Sequence, residues 1–214
     1  MKEENSAVID QATLITYVLI VLGFVFIPGP ATLLTVAVAT SSGTRVGLAT
    51  GLGIAVGDII HTAMAVLGIS AIILASAFLF SLVKYLGAAY LIYLGLRAIL
   101  ARQPAMLTET TRLTASGAFR QAILAELLNP KTALFFLAFL PQFVHPENGS
   151  VLLQLTQLGI ILVLLGLFST VLFAIGAGAI GTYLRRHPAV LRWQGKVVGG
   201  IYCALGARLA FQER

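Results

Sequence analysis

Four titratable side chains, Asp58, His61, Glu126 and Lys131, sit inside long apolar stretches of this chain. Ionisable groups at membrane depth are costly to keep and mark a functional site by default. Asp58 lies about 18 Å along its helix from the nearer end at ~1.5 Å per residue, close to the bilayer midplane and too deep for a short carboxylate to reach water. A carboxyl there that exchanges its proton as its exposure changes is what a proton-coupled process needs, and a structural carboxylate paired permanently with a lysine is the competing account. His61 follows one helical turn on, placed to extend a proton path or to share a metal with Asp58. Two ligands do not make a metal site, and a hydrogen-bonded packing histidine accounts for His61 more simply.

Glu126 precedes, and Lys131 ends, a polar interruption at Asn129-Pro130-Lys131. Proline lacks the backbone N–H and its ring collides with the preceding turn, so a helix here must kink or break and leave carbonyls unpaired. In hydrocarbon such a break is tolerated only where the freed backbone is buried in protein or lines a water-filled cavity. Lys131 could hold a substrate carboxylate there, helped by the free N–H groups of a half-helix start. An ion pair of Lys131 with Asp58 or Glu126 that merely locks the protein together is the alternative. The same interruption occurs earlier at Pro28-Gly29-Pro30, with Pro30 aligning over Pro130, Thr32 over Thr132 and Leu34 over Leu134. Two broken helices in corresponding places point to two repeats with a transport site between them. Lys84, near the expected outer end of the third crossing, is a secondary candidate that can equally snorkel to the interface.

The elements that must position these residues follow from composition. Hydrophobic residues make up 58% of the 214 and charged residues 10%, with mean hydropathy +0.96, which excludes an ordinary soluble protein and predicts an all-α polytopic membrane protein. The start MKEENSAVIDQ is not a basic leader, and no small-residue cleavage site follows the first apolar run, so that run is expected to remain. The net charge is +6, yet most Lys and Arg fall in short polar stretches, which is a membrane-orientation signal rather than a nucleic-acid one. The single cysteine, Cys203, excludes an intrachain disulfide and a cysteine metal cluster. With no Ser/His/Asp triad in the spans, no Walker loop and no dinucleotide fingerprint, neither an enzyme nor a cofactor is indicated.

At about 20 residues per crossing the chain reads as six. They are residues 14–40 with the first break, two within 46–100 with a reversal near 75–81, 117–144 with the second break, 151–184, and 193–211. One helix over 46–100 would reach roughly 80 Å against a hydrocarbon core of about 30 Å, hence the reversal. The polar stretch 101–116 joins two halves, about 12–100 and 117–214, in a single transporter domain. Three crossings per half invert the second half relative to the first, the architecture of alternating access. Arg45, then Arg97, Arg102, Arg112 and Arg120, then Arg185, Arg186, Arg192 and Lys196 fall on one side, against Lys2, Arg208 and Arg214 on the other. That asymmetry puts both termini outside. Gly47 and Gly51, Gly53 and Gly57, and Gly195 and Gly199 form small-xxx-small pairs that permit close packing or a homodimer. Phe135, Phe136, Phe139, Tyr85, Tyr90 and Tyr93 are expected in the core or at the lipid interface.

Four stretches in order carry a family likeness: FIPGPATLL at 26–34, GLATGLGIAVGD at 47–58, KYLGAAYLIYLG at 84–95 and LNPKTALFFLAFLPQF at 128–143. Over most of its length the chain resembles the LysE/RhtB family of bacterial amino-acid exporters. That resemblance implies a multi-pass inner-membrane exporter of amino acids or close derivatives, driven by protons, with Pro28, Gly29, Pro30, Asp58, Lys84, Asn129, Pro130 and Lys131 at the family's signature positions. Glu126 and His61 rest on the physical argument alone. A divalent-cation exporter, motivated by Asp58, His61 and Glu126, and a non-transporting membrane scaffold, motivated by the small-residue faces, are the competing functions.

Overall fold

The computed structural model describes residues 9–75, 77–100 and 112–211, and all of its regular structure is helical. Helix α1 (Gln11–Phe26) opens on Asp10, whose Oδ1 accepts the Thr13 N–H at 2.9 Å. It stops where Pro28 and Pro30 remove two donors within three residues, Ile27 turning to extended backbone. Helix α2 (Pro30–Ser42) restarts with proline in its first turn, where the missing N–H costs nothing, and bends 48° from α1. Gly43, at φ +94°, makes a one-residue turn into α3 (Thr44–Ala75), a conformation that suits a residue without Cβ. Only Gly43 lies between the two helices, although the expected crossings left residues 41–45 between them.

Helix α3 is described as far as Ala75 and helix α4 (Ala77–Leu100) from the residue after Ser76, and the expected reversal near 75–81 includes that undescribed residue. Ser76 and most of the polar connection, residues 101–111, lie outside the described residues. In the second half, Thr114 caps α5 (Ala115–Leu127) by accepting the Gly117 N–H at 3.1 Å. The chain then breaks at Leu128-Asn129 and resumes as α6 (Pro130–Leu134), with proline again in the first turn. A π turn (Phe135–Phe139) and a 3-10 turn (Leu140–Phe143) prolong α6, and the pair is bent by 51°. Helices α7 (Val151–Ile175), α8 (Ala177–Arg186) and α9 (Pro188–Phe211) complete the chain; the expected fifth crossing, 151–184, is divided at Gly176, and α8 gives way to α9 at His187-Pro188.

The protein is an all-α polytopic membrane protein. Among the described residues two helical segments are long and apolar enough to cross a membrane alone, Thr44–Gly68 and Val151–Ile175, and the count becomes four if each bent pair is one span. Helix α3 packs on α2, α5 and α7, while α4 pairs with α9. A core of Tyr17, Val21, Phe135, Phe139, Leu140, Phe143, Leu155 and Leu158 fills the space between α1, the π turn and α7. Phe136 is buried too, whereas Tyr85, Tyr90 and Tyr93 are exposed, so the six aromatics divide between core and lipid-facing surface.

The glycine pairs act within the chain. A Cβ at Gly53 would meet the Phe119 carbonyl and Ala122, and one at Gly57 would come within 2.6 Å of Glu126 Cβ, so both let α5 close on α3. Gly47 meets Ala39, Gly51 meets Thr170, and Gly199 meets the Gly95 carbonyl. The surfaces of these five glycines are thus occupied by this chain's own helices and carry no argument for a dimer or a scaffold, while the surroundings of Gly195 lie outside the described residues.

Candidate functional site

The first break leaves the end of α1 with carbonyls that no helical N–H reaches. Pro28 cannot donate to Phe24 O, and extended backbone at Ile27 and Gly29 carries the next donors away. The structure supplies donors from elsewhere. Lys131 Nζ donates to Phe24 O at 2.9 Å and to Ile27 O at 3.2 Å, and Ser169 Oγ of α7 donates to Val25 O at 2.9 Å. The ammonium also stands over the Phe24 ring, 4.2 Å from its centroid. A Cβ on Gly29 would fall 3.0 Å from Lys131 Cδ, so glycine there is what lets the lysine stem pass.

The second break is organised around Glu126, which is 2% exposed. Asn129 caps α6, its Oδ1 accepting the Lys131 N–H at 3.1 Å, while its Nδ2 donates to both Glu126 oxygens at 3.3 and 3.2 Å. The Thr132 hydroxyl donates to Glu126 Oε1 in a short contact. Three residues across the break thus tie the end of α5 to the start of α6 through one carboxyl group.

Asp58, 4% exposed, comes from the middle of α3 and lines the same cavity as Glu126. Two carboxylates on one small buried cavity repel each other when both are ionised, and a proton on either relieves the repulsion. Gly166 of α7 makes room on the far side, where a Cβ would sit 3.4 Å from Asp58 Oδ2. Between these groups lies a cavity of about 50 Å³ lined by Phe24, Val25, Gly29, Ala31 and Thr32 at the first break, Ile54 and Asp58 of α3, Glu126, Asn129, Lys131 and Thr132 at the second, and Leu162, Gly166, Ser169 and Thr170 of α7.

Most of the residues singled out from sequence therefore meet. Gly29, Asp58, Glu126, Asn129 and Lys131 all line one cavity, with Pro28 and Pro30 shaping one wall and Pro130 starting the helix at the other. The alternative of an ion pair between Lys131 and Asp58 or Glu126 is not seen: among the described residues the one ion pair is His145 with Glu147, and Lys131 spends its hydrogen bonds on backbone. His61 is placed by structure rather than by a ligand. Its Nε2 contacts the Glu126 carbonyl at 3.1 Å and its ring stacks on Phe136 at 5.6 Å. Among the described residues no group of three or more His, Cys, Asp or Glu could hold a metal ion, so Asp58, His61 and Glu126 do not assemble the site that a cation exporter would need. The Lys84 side chain lies outside the described residues.

Thr32, Thr132 and the α7 pair Ser169 and Thr170 were not proposed from sequence. The first two had a signal, since they sit at the same offset after proline in both breaks. The α7 residues had none, being hydroxyls that helices commonly satisfy on their own carbonyls.

Comparisons with known proteins agree on one kinship. A family model described as LysE type translocator matches residues 20–213. An uncharacterized membrane protein of Vibrio cholerae is 32% identical over 197 residues, covering 92% of this chain and 95% of its own. The uncharacterized membrane protein YrhP of Bacillus subtilis is 36% identical over 163 residues, or 72% and 77% of the two chains. A leucine efflux protein of Salmonella typhimurium is 32% identical over 203 residues, or 91% and 93%. No solved structure shows a significant match.

Proposed function

Because the chain belongs to the LysE family of membrane translocators, we propose that it is a secondary-active, proton-coupled exporter of small amino acids or close derivatives across the bacterial inner membrane. The relative named for leucine efflux, similar over nine-tenths of both chains, supports the substrate class. The observation that carries the reading is that Asp58 and Glu126 share one small cavity bounded by both helix breaks. A proton held by either carboxyl can leave when water or a substrate ammonium replaces it, which links the charge of the site to its occupancy. Lys131, Asn129 and the Pro28-Gly29-Pro30 turn hold the walls in place around that pair.

The movement we propose is alternating access between two inverted repeats, α1 to α4 and α5 to α9, joined through residues 101–116. Two bends of similar size at matching positions, 48° and 51°, and the pairing of α4 with α9 across the halves support it. At about 50 Å³ the cavity is a third of the ~150 Å³ that holds benzene in an engineered apolar pocket, so the halves must part to admit a side chain the size of leucine. In this reading both termini face the extracytoplasmic side.

Uptake into inverted vesicles of leucine, threonine, lysine and a panel of divalent metals tests the proposal. Amino-acid accumulation abolished by a protonophore is the expected result. Metal flux without amino-acid flux would replace the reading, and no flux from purified protein in proteoliposomes would point to a scaffold.

A further inference from the structure

Among the described residues, three hydrogen-bond donors at the start of α2 find no acceptor. Its cap, Gly29, has no side chain to offer, and the first amide of the helix to find an intrahelical acceptor is that of Leu33, which reaches Gly29 O at 2.9 Å. The N–H groups of Ala31 and Thr32 are left over, as the geometry of any helix start demands. The usual remedy, an Asp, Asn, Ser or Thr cap, is present at the matching break of the second half, where Asn129 serves α6, and is missing here. The Thr32 hydroxyl has no hydrogen-bond partner among the described residues either, although the residue is only 6% exposed and lines the cavity. Buried hydroxyls are rarely left unpaired. Threonine in a helix has an easy alternative in the carbonyl one turn back, which Thr35 takes by bonding Ala31 O at 3.0 Å. The same end of the cavity is electropositive, since Lys131 Nζ would lie 3.2 Å from a Cβ at Gly29 and the helix start adds its own partial charge.

We infer that the uncapped start of α2 receives the α-carboxylate of the transported amino acid, with the Ala31 and Thr32 amides and the Thr32 hydroxyl as its donors. The Asp58–Glu126 pair, on another wall of the same cavity, then faces the α-ammonium. The division of labour makes the site selective for the zwitterionic headgroup rather than for any one side chain. Lys131, engaged with Phe24 O and Ile27 O, contributes field rather than a direct bond. The inference rests on the export reading.

Binding of leucine, threonine and lysine to purified protein, each beside its C-terminal amide, tests it. Wild type should bind at least one free amino acid and prefer it to its amide. Thr32→Val, which keeps the shape and removes the hydroxyl, should weaken binding of the free amino acid at least about tenfold while leaving the weak amide binding unchanged, and Thr32→Ser should restore it. Equal loss for acid and amide, or no loss for either, overturns the carboxylate site and leaves the exporter standing. No binding of any free amino acid by folded wild type overturns the export reading and this site with it.

Discussion

Removing a single ionisable function distinguishes coupling from scaffolding at Asp58. Asp58→Asn keeps the shape and can still hydrogen-bond, but it cannot release a proton. It should abolish accumulation driven by a pH gradient while leaving substrate exchange measurable on the same quantified preparation. Full proton-driven flux in that variant would remove Asp58 from the coupling role. Lys131 makes the opposite kind of prediction. Lys131→Met leaves the Phe24 and Ile27 carbonyls unbonded in the interior, and each unsatisfied acceptor costs about 1–3 kcal/mol, so the thermal midpoint in detergent should fall clearly. A variant of unchanged midpoint that had lost only substrate binding would make Lys131 a ligand instead. At the aqueous edge, Asp10 is held below the usual carboxylate range by its hydrogen bond to Thr13. A depressed value stabilises the fold above the unfolded group's range, and that contribution fades as pH falls through the folded value, so fraying of α1 should increase on acidification.

At the level of elements, the tight α3–α5 seam depends on hydrogen atoms where other residues carry carbon. Gly57→Ala would drive a methyl into Glu126 Cβ and Cγ, and overpacking of this kind costs typically 1–3 kcal/mol. Gly23→Ala in α1 meets nothing within 4 Å and should be neutral or slightly stabilising. Thermal midpoints of the two variants side by side check the contrast, and similar shifts in both would mean the seam is looser than it looks. These elements were unequally legible in the sequence. The breaks announced themselves, because proline cannot take part in a helix ladder whatever surrounds it. The π turn at Phe135–Phe139 left no mark, since an unbroken apolar run reads the same with four or five residues between bonded groups. Equally hidden was the use of Lys131: the charge was conspicuous, but its acceptors lie 107 and 104 residues away, and no local pattern reports a bond of that range. Glu126 was found by its cost in hydrocarbon, while the Asn129 and Thr132 donors that make its burial tolerable became visible only once the chain had turned back on itself.

For the molecule as a whole, the basic residues predict which way it faces. A cysteine introduced at Thr110, in a Cys203→Ala background, should resist a membrane-impermeant thiol reagent applied to intact cells, whereas one placed beside either terminus should react. Ready labelling at Thr110 with none at the termini would invert the assignment. Polypeptides are also made in one direction. The lysine that quiets the exposed carbonyls of the first bent helix is synthesised 104 residues after Ile27, which at roughly 5–20 residues per second is a wait of about 5–20 s on the ribosome. Throughout that interval the early segment cannot rest in hydrocarbon as it does in the finished protein. It must linger at the insertion machinery, lie near the headgroups, or borrow water, and then move inward when its partner arrives. A ribosome stalled by an arrest peptide placed to read pulling force should register a late tug from the first helix as residue 131 enters the membrane, and Lys131→Met should silence it.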